Sequence, residues 1–319
     1  MNQGQNGSEY RGLENNLHKR HFGLVVVEVL GLLTVNVFAL LGNVLICAAV
    51  YRKPSLRTIT NMFIVTLAIS DIIMAVTAMP LSIGALITNV WPFGHVACQI
   101  QGFLIHVLVF QSVQVITLTA INRNLYIVRP SFYKKIFTKK TTLFMIIGVI
   151  IISTAVMAAL IFSLTTYFAF HPGKVICVVT FYSLSQSRFF TIIFSLVFIV
   201  IPFLVISFCY ARVMQRIRTH KQEFKATRGI LDFNSRLARE EDKLSKIVLA
   251  IILGFAACWI PCVAIDIADT TRDGWLPRQI YLLYTFFGFA SCAINPILYG
   301  CMNKQVRNEI MCILKFWRK

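Results

Sequence analysis

FGLVVVEVLGLLTVNVFALLGNVLICAAVY, residues 22–51, decides the class of this chain. A helix that crosses the hydrocarbon core of a bilayer needs about 20 mostly apolar residues. This run exceeds that and spans with tilt. Six further apolar runs follow, at about 59–87, 96–128, 142–168, 188–214, 243–268 and 278–301. Lipid offers no water to backbone N–H and C=O groups, so runs of this length must be helices. The expected fold is an all-α membrane protein. A polar N-terminal segment covers 1–21, a seven-transmembrane helix bundle covers 22–301, and a short amphipathic C-terminal helix with the tail covers 302–319.

Composition points the same way. The 319 residues are 57% hydrophobic and 14% charged, with a mean hydropathy of +0.72. Soluble chains carry about 25% charged residues. This chain cannot cover a globule with water-compatible surface. A net charge of +18 raises the question of nucleic acid. The placement of the charges argues against it, because the basic residues cluster between apolar runs, as membrane topology requires. The connections 51–58, 123–140 and 212–246, with the tail from Lys304, hold 24 of the 31 Lys and Arg. The positive-inside rule puts these in the cytosol and the N-terminus outside, in a multi-pass protein of the plasma membrane.

The segment 1–21 lacks the layout of a cleaved signal peptide. Asn6-Gly7-Ser8 within it fits a glycosylation acceptor if that end is outside. Near the other end, 303–316 alternates charge with Val306, Ile310, Ile313, Leu314 and Phe316, the pattern of a helix lying on the inner leaflet. Cys312 there is either a palmitoylation site or a plain interfacial thiol. Most of the nine cysteines lie inside apolar runs, as small packing residues. Cys98 and Cys177 sit in predicted outer connections and are the disulfide candidates. No spacing suits zinc or another metal.

Several short motifs recur in order along the spans. They are Gly42-Asn43-Val44, Leu67-Ala68-Ile69-Ser70-Asp71, Trp91-Pro92-Phe93-Gly94 before Cys98, Asn122-Arg123-Asn124, Pro202 with Tyr210, Phe255 to Pro261 around Trp259, and Asn295-Pro296-Ile297-Leu298-Tyr299. In residue type, order and spacing the series resembles the rhodopsin-like G-protein-coupled receptors over about residues 22–316. The resemblance implies a bundle that transduces binding of an extracellular ligand to heterotrimeric G proteins. It implies a sodium and water cavity around Asp71, lined by Asn43, Ser112, Ser291 and Asn295. It also implies switch roles for Pro202, Tyr210, Phe255, Trp259, Pro296 and Tyr299.

The residues support that reading physically. An acid at mid-membrane costs about 2.5–3.5 kcal/mol on insertion scales, so Asp71 must face polar partners. The plainer alternative is a neutral, hydrogen-bonded structural Asp. Asn295-Pro296 and Trp259-Ile260-Pro261 each interrupt a helical ladder and make plausible hinges. Arg123 reaches the cytosolic end of the third span. Asn122 replaces the acid that the family usually places beside it, and Glu241 stands 20 residues before Pro261. Pairing of Arg123 with Glu241 would hold the inactive state. The alternative is that Arg123 snorkels to lipid phosphates.

The ligand is less legible. Amine receptors carry an Asp on the third span, where this chain has Ile105. Opsins carry a retinal-binding Lys, where this chain has Phe289, so retinal is excluded. The pair Asn122-Arg123, with Asn61-Met62-Phe63 and Ala120-Ile121, is similar to melatonin-type receptors. Val263, Phe198, the absence of Trp from 141 to 170, and Val178 to Phe181 depart from that group. The expected pocket is a mostly apolar cleft with a few polar anchors. Gln101, Ile105, His106, Val109 and Phe110 would line it from the third span, and Phe181 from the outer loop. Trp259, Val263 and Asp266 come from the sixth span, and Tyr281, Tyr284, Thr285 and Phe289 from the seventh. A peptide or lipid is the alternative ligand class. A transporter would show inverted repeats and paired broken helices, whereas no internal repeat is found and the clearest helix breaks, in the sixth and seventh spans, are adjacent in the chain. An enzyme is rejected, since no nucleophile–base set, phosphate loop or metal cluster appears.

Overall fold

The computed structural model describes residues 3–162, 166–181, 184–226, 232–271 and 276–317. In chain order the elements are α1 (Gln3–His18), α2 (Phe22–Arg52), α3 (Ile59–Thr88), α4 (Gly94–Val128), α5 (Pro130–Ile136), α6 (Lys139–Phe162), β1 (Thr166–His171), β2 (Ile176–Phe181), α7 (Leu184–Ser195), α8 (Ile201–Ala226), α9 (Asp232–Thr271), α10 (Arg278–Met302) and α11 (Lys304–Trp317). A π-helical turn, Leu196–Val200, joins α7 to α8. Among the described residues seven helical runs are long and apolar enough to cross a membrane. They lie in α2, α3, α4, α6, the α7–α8 run Ile192–Thr219, α9 and α10.

Packing distributes these runs unequally. Most of the apolar window of α4 is buried, as is more than half of that of α3, while α2, α6 and α8 turn most of theirs outward. That is the pattern of a bundle whose outside meets lipid. α4 is the central helix and touches α3, α6, α8 and α9, whereas α10 packs between α9 and α2.

Glycine permits the closest approaches. A Cβ on Gly42 would stand 2.7 Å from the Pro296 ring, so only Gly lets α2 reach the kink of α10. The proline explains why α2 must come so close. Pro296 has no N–H, which orphans the carbonyl four residues earlier. That carbonyl belongs to Cys292, and Asn43 Nδ2 donates to it at 3.0 Å. Pro202 in α8 follows directly on the π-helical turn, a common way for a helix to absorb such a break.

Three sequence expectations change. The run 142–168 is not one helix: α6 stops at Phe162, and Thr166 to Phe168 open a strand. Thr166 Oγ1 donates to Leu160 O, and the β-branched and aromatic residues that follow pair across to β2. The charged connection 212–246 is largely helical, since α8 runs on to Ala226 and α9 begins at Asp232. An existing helix propagates at low cost through residues of good propensity. The polar segment 1–21 folds as α1, with Leu13 and Leu17 buried. Leu13 packs on Ile265, Leu276 and Tyr281, and the Tyr10 hydroxyl donates to Phe170 O. α11 forms as expected, capped by Asn303, with Val306 and Ile313 buried against Tyr299, and Cys312 exposed.

Glu28 of α2 anchors this N-terminal segment. It is buried and pairs with both Arg20 and Arg278. Arg20 also donates to Leu86 O and to Asn89. The Glu28 carboxylate thus joins the N-terminal segment to α10, and Arg20 carries the link on to the end of α3. Removing one partner from a buried ionic cluster costs about 3–5 kcal/mol, because the remaining charge is stranded. Glu28→Gln is therefore expected to lower the thermal midpoint of the detergent-solubilised protein sharply and to reduce surface expression. A midpoint within about a degree of wild type would show that the cluster contributes little.

Candidate functional site

β1 and β2 pair antiparallel, with Phe170 opposite Cys177. Cys98 and Cys177 form a disulfide that ties β2 to the start of α4. Two glutamines on α4 complete the attachment. Gln99 donates to Phe168 O at 2.6 Å and accepts from Phe168 N at 3.1 Å. Gln101 accepts from Cys177 N at 3.0 Å and donates to Ala78 O and Ser82 of α3. Residues 171–177 are all buried, so the hairpin tip turns into the bundle. His171 Nδ1 accepts from the N–H groups of Gly173 and Lys174. Burial, then the charge of Lys174, pushes the imidazole well below its ordinary pKa. Lys174 Nζ pairs with Asp266 at 2.8 Å and lies 3.9 Å from Asp269. Burial alone would lower this ammonium, but the two aspartates outweigh it and hold its pKa above the ordinary value.

Beneath the hairpin lies a cavity of about 260 Å³. Of the residues expected from sequence, Ile105, His106, Val109, Phe110, Phe181, Trp259, Val263 and Asp266 line it, and so does Tyr284. An aromatic stack forms one wall. The ring of Phe110 stacks on Phe198 at 4.4 Å and on Phe194 at 5.6 Å. Phe255 and Trp259, 5.8 Å apart, also face the cavity. Gln101, Tyr281, Thr285 and Phe289 do not line it. The amide of Gln101 is consumed by backbone and Ser82, as above. Tyr281 donates to Asp269 and packs on Leu13. Thr285 donates to Lys174 O. Phe289 belongs to the core around Met74 and Leu282. Sequence reasoning missed Phe194, His171 and Lys174. The spacing of Phe190, Phe194 and Phe198 is a helical stripe that pointed to the first. No local signal marked the inward turn that places the other two.

A second cavity, of about 20 Å³, lies deeper in the bundle. Asp71, Ser112, Ser291 and Asn295 line it, with Ser70 and Cys292. That is space for about one water-sized occupant. Asn295 Nδ2 donates to Asp71 at 3.1 Å. The Asn295 Oδ1 is buried with no hydrogen-bond partner among the described residues. Asn43, expected here, lies off the lining, because its amide serves the Cys292 carbonyl.

At the opposite end of α4, Arg123 is buried, 5% exposed. Its guanidinium donates to Thr60 Oγ1 at the start of α3, and Thr60 lies 3.4 Å from Asn122 Oδ1. The Tyr126 ring stands 5.8 Å away. The Tyr299 hydroxyl donates to Asn61 Oδ1 at 2.6 Å. Tyr210 is buried beside this group, and its hydroxyl has no hydrogen-bond partner among the described residues. The side chain of Glu241 lies outside the described residues, as does that of Asn6. The sequence reading did not foresee Thr60, although it singled out the neighbouring Asn61.

Seven membrane-crossing helices, a hairpin-roofed cavity and a buried arginine at the far end define a heptahelical receptor. The profile of the 7 transmembrane receptor (rhodopsin family) matches residues 42–299, and the chain belongs to that family. It is a G-protein-coupled receptor, a multi-pass protein of the plasma membrane, and not an enzyme. It is 30% identical to the RYamide receptor of Drosophila melanogaster over 96% of this chain and 67% of the relative. It is 28% identical to melatonin receptor type 1C of Xenopus laevis, over 92% of this chain and 68% of the relative. The crystal structure of squid rhodopsin superposes with a TM-score of 0.81 at 23% identity, covering 92% of this chain and 86% of that one.

The contact between Thr60 and Arg123 makes a specific expectation. Thr60→Val keeps the shape and removes the acceptor from a buried guanidinium, at a cost of about 1–3 kcal/mol to this arrangement. Agonist-free nucleotide exchange on a G protein should rise at matched surface expression, and Asn122→Asp should lower it by giving Arg123 a carboxylate. Unchanged exchange in Thr60→Val would show that Arg123 is restrained elsewhere.

Proposed function

We propose that this receptor, with its N-terminus outside, binds a compact and largely aromatic small molecule in the cavity beneath the hairpin. It passes the event to a heterotrimeric G protein at the Arg123 end. The observation that carries this is the cavity itself. At about 260 Å³ it lies just below the usual range of ligand sites, which suits a compact ligand. Stacked phenylalanines wall it and a few polar groups converge at its rim, which is the make-up of such sites. The similarity to melatonin receptors supports an indole-amide ligand, while Val263 and Phe198 replace the residues those receptors would offer it. A peptide is the second reading, supported by the similarity to the RYamide receptor and by Asp266 and Asp269 at the mouth. In this reading Ile105, on the cavity wall, leaves no acid on α4 for an amine.

The switch reading is that Arg123 and Tyr299, both buried and bonded within the bundle, mark the silent arrangement. Trp259, Phe255 and the kinks at Pro202, Pro261 and Pro296 provide the moving parts, with Tyr210 as a second partner near Arg123. A sodium ion fits the smaller cavity, since Asp71, Ser112, Ser291 and the free Asn295 Oδ1 offer hard oxygen donors. Bound there, a monovalent cation supplies charge compensation for Asp71. Cys312 is offered as a palmitoylation site, Asn6 as a glycosylation acceptor, and Glu241 as a further partner for Arg123 from the sixth span.

A screen of indole amides, lipids and amidated short peptides, read as G-protein nucleotide exchange, tests the ligand class. With an active indole amide, Phe110→Ala and Phe198→Ala should each raise the half-maximal concentration about tenfold, equivalent to about 1.4 kcal/mol. Activation by peptides alone, unaltered by Phe110→Ala, would replace the first reading with the second. For the ion, agonist affinity should fall as sodium replaces an organic cation, and Asp71→Asn should abolish that dependence. Sodium sensitivity that survives Asp71→Asn removes the ion from this site.

A further inference from the structure

A lysine in an outer loop ordinarily keeps its ammonium in water, because burying a charge is unfavourable unless it is paired. Lys174 is 6% exposed. Its ammonium meets Asp266 at 2.8 Å and Asp269 at 3.9 Å on α9, and stands 4.5 Å from the centre of the Tyr284 ring on α10. Its carbonyl accepts from Thr285 of α10. β2, which follows it, is bonded to α4 through the disulfide and Gln101. The short segment from Lys174 to Cys177 therefore links α4, α9 and α10 at the hairpin end.

The turn that presents Lys174 is itself fixed. His171 accepts from two backbone N–H groups within it. Val175 holds a φ of 55°, a conformation that a β-branched residue keeps only where its surroundings impose it. Lys174 and Asp266 also form part of the wall of the larger cavity. The ammonium thus stands where a ligand entering that cavity would bring its own polar group.

In the same arrangement Arg123 is buried at the opposite end. A contact made in one arrangement and lost in another favours the first by the difference in its free energy. We propose that Lys174 is a built-in inhibitory occupant of the ligand site, whose hold on Asp266 keeps the receptor silent until a ligand displaces it. This rests on the reading of the Arg123-buried arrangement as the silent one. An activating ligand then engages Asp266 with a cationic or hydrogen-bond-donating group in place of Lys174.

The test is agonist-free nucleotide exchange on a G protein, with the receptor in membranes at matched surface expression. Lys174→Met keeps the aliphatic stem and removes the charge. Turnover is expected to rise about tenfold, equivalent to about 1.4 kcal/mol. Asp266→Asn should raise it similarly, and the double variant no further, because one contact is removed once. Wild-type turnover in Lys174→Met overturns the proposal, and so do fully additive effects in the double variant. Should Lys174→Met fail to reach the surface, the exchanged pair Lys174→Asp/Asp266→Lys decides. A silent receptor at the surface supports the contact, while raised turnover or loss from the surface overturns it. The two readings fail separately. Flat turnover in Thr60→Val with a rise in Lys174→Met removes Thr60 as the restraint on Arg123 and leaves the hairpin contact standing, and the opposite pattern removes only the hairpin contact.

Discussion

Inside hydrocarbon a backbone carbonyl has no water to turn to, so every departure from a straight helix must be matched by a donor from elsewhere in the chain. Pro296 makes the sharpest demand. The Cys292 carbonyl it leaves bare is met by Asn43 at 3.0 Å, and Gly42 provides the room for α2 to deliver that amide. A helix break in α10 therefore fixes the position of α2, and α2 in turn carries Glu28, which gathers Arg20 and Arg278. The same constraint governs the hairpin. Its inward tip survives burial because Gln101, His171 and Thr285 pair its backbone, while Gln99 pairs the strand at Phe168.

Signalling needs two arrangements that differ by a few contacts rather than one rigid core. The candidates for those contacts sit at the two ends of the bundle. At one end Lys174 ties the hairpin to α9 and α10. At the other, Thr60 receives Arg123 and Asn61 receives Tyr299. Between them lie the Trp259 ring, the two cavities and the kinks, so a change at the larger cavity has a continuous path of packed groups to the far end. Asn122 shapes that far end in particular. It offers an amide where an acid would stand, and among the described residues Arg123 turns to the neutral hydroxyl of Thr60, a weaker hold than a charge-assisted pair.

The sequence determined the membrane class, the seven spans and the ordered motifs, because hydropathy and proline chemistry are properties of short local segments. It also marked both disulfide cysteines and most of the cavity wall on α4 and α9, where helical spacing puts Ile105, His106, Val109, Phe110, Trp259, Val263 and Asp266 on consistent faces. Tertiary structure alone decided what those residues meet. Gln101 has a ligand-facing spacing, yet its amide closes the hairpin instead. Asn43 serves a carbonyl 249 residues away. Lys174 pairs with an aspartate 92 residues on, and Arg123 with a threonine 63 residues back. Such partners leave no mark in local periodicity, because they are chosen by which helices pack together and how closely the glycines let them approach.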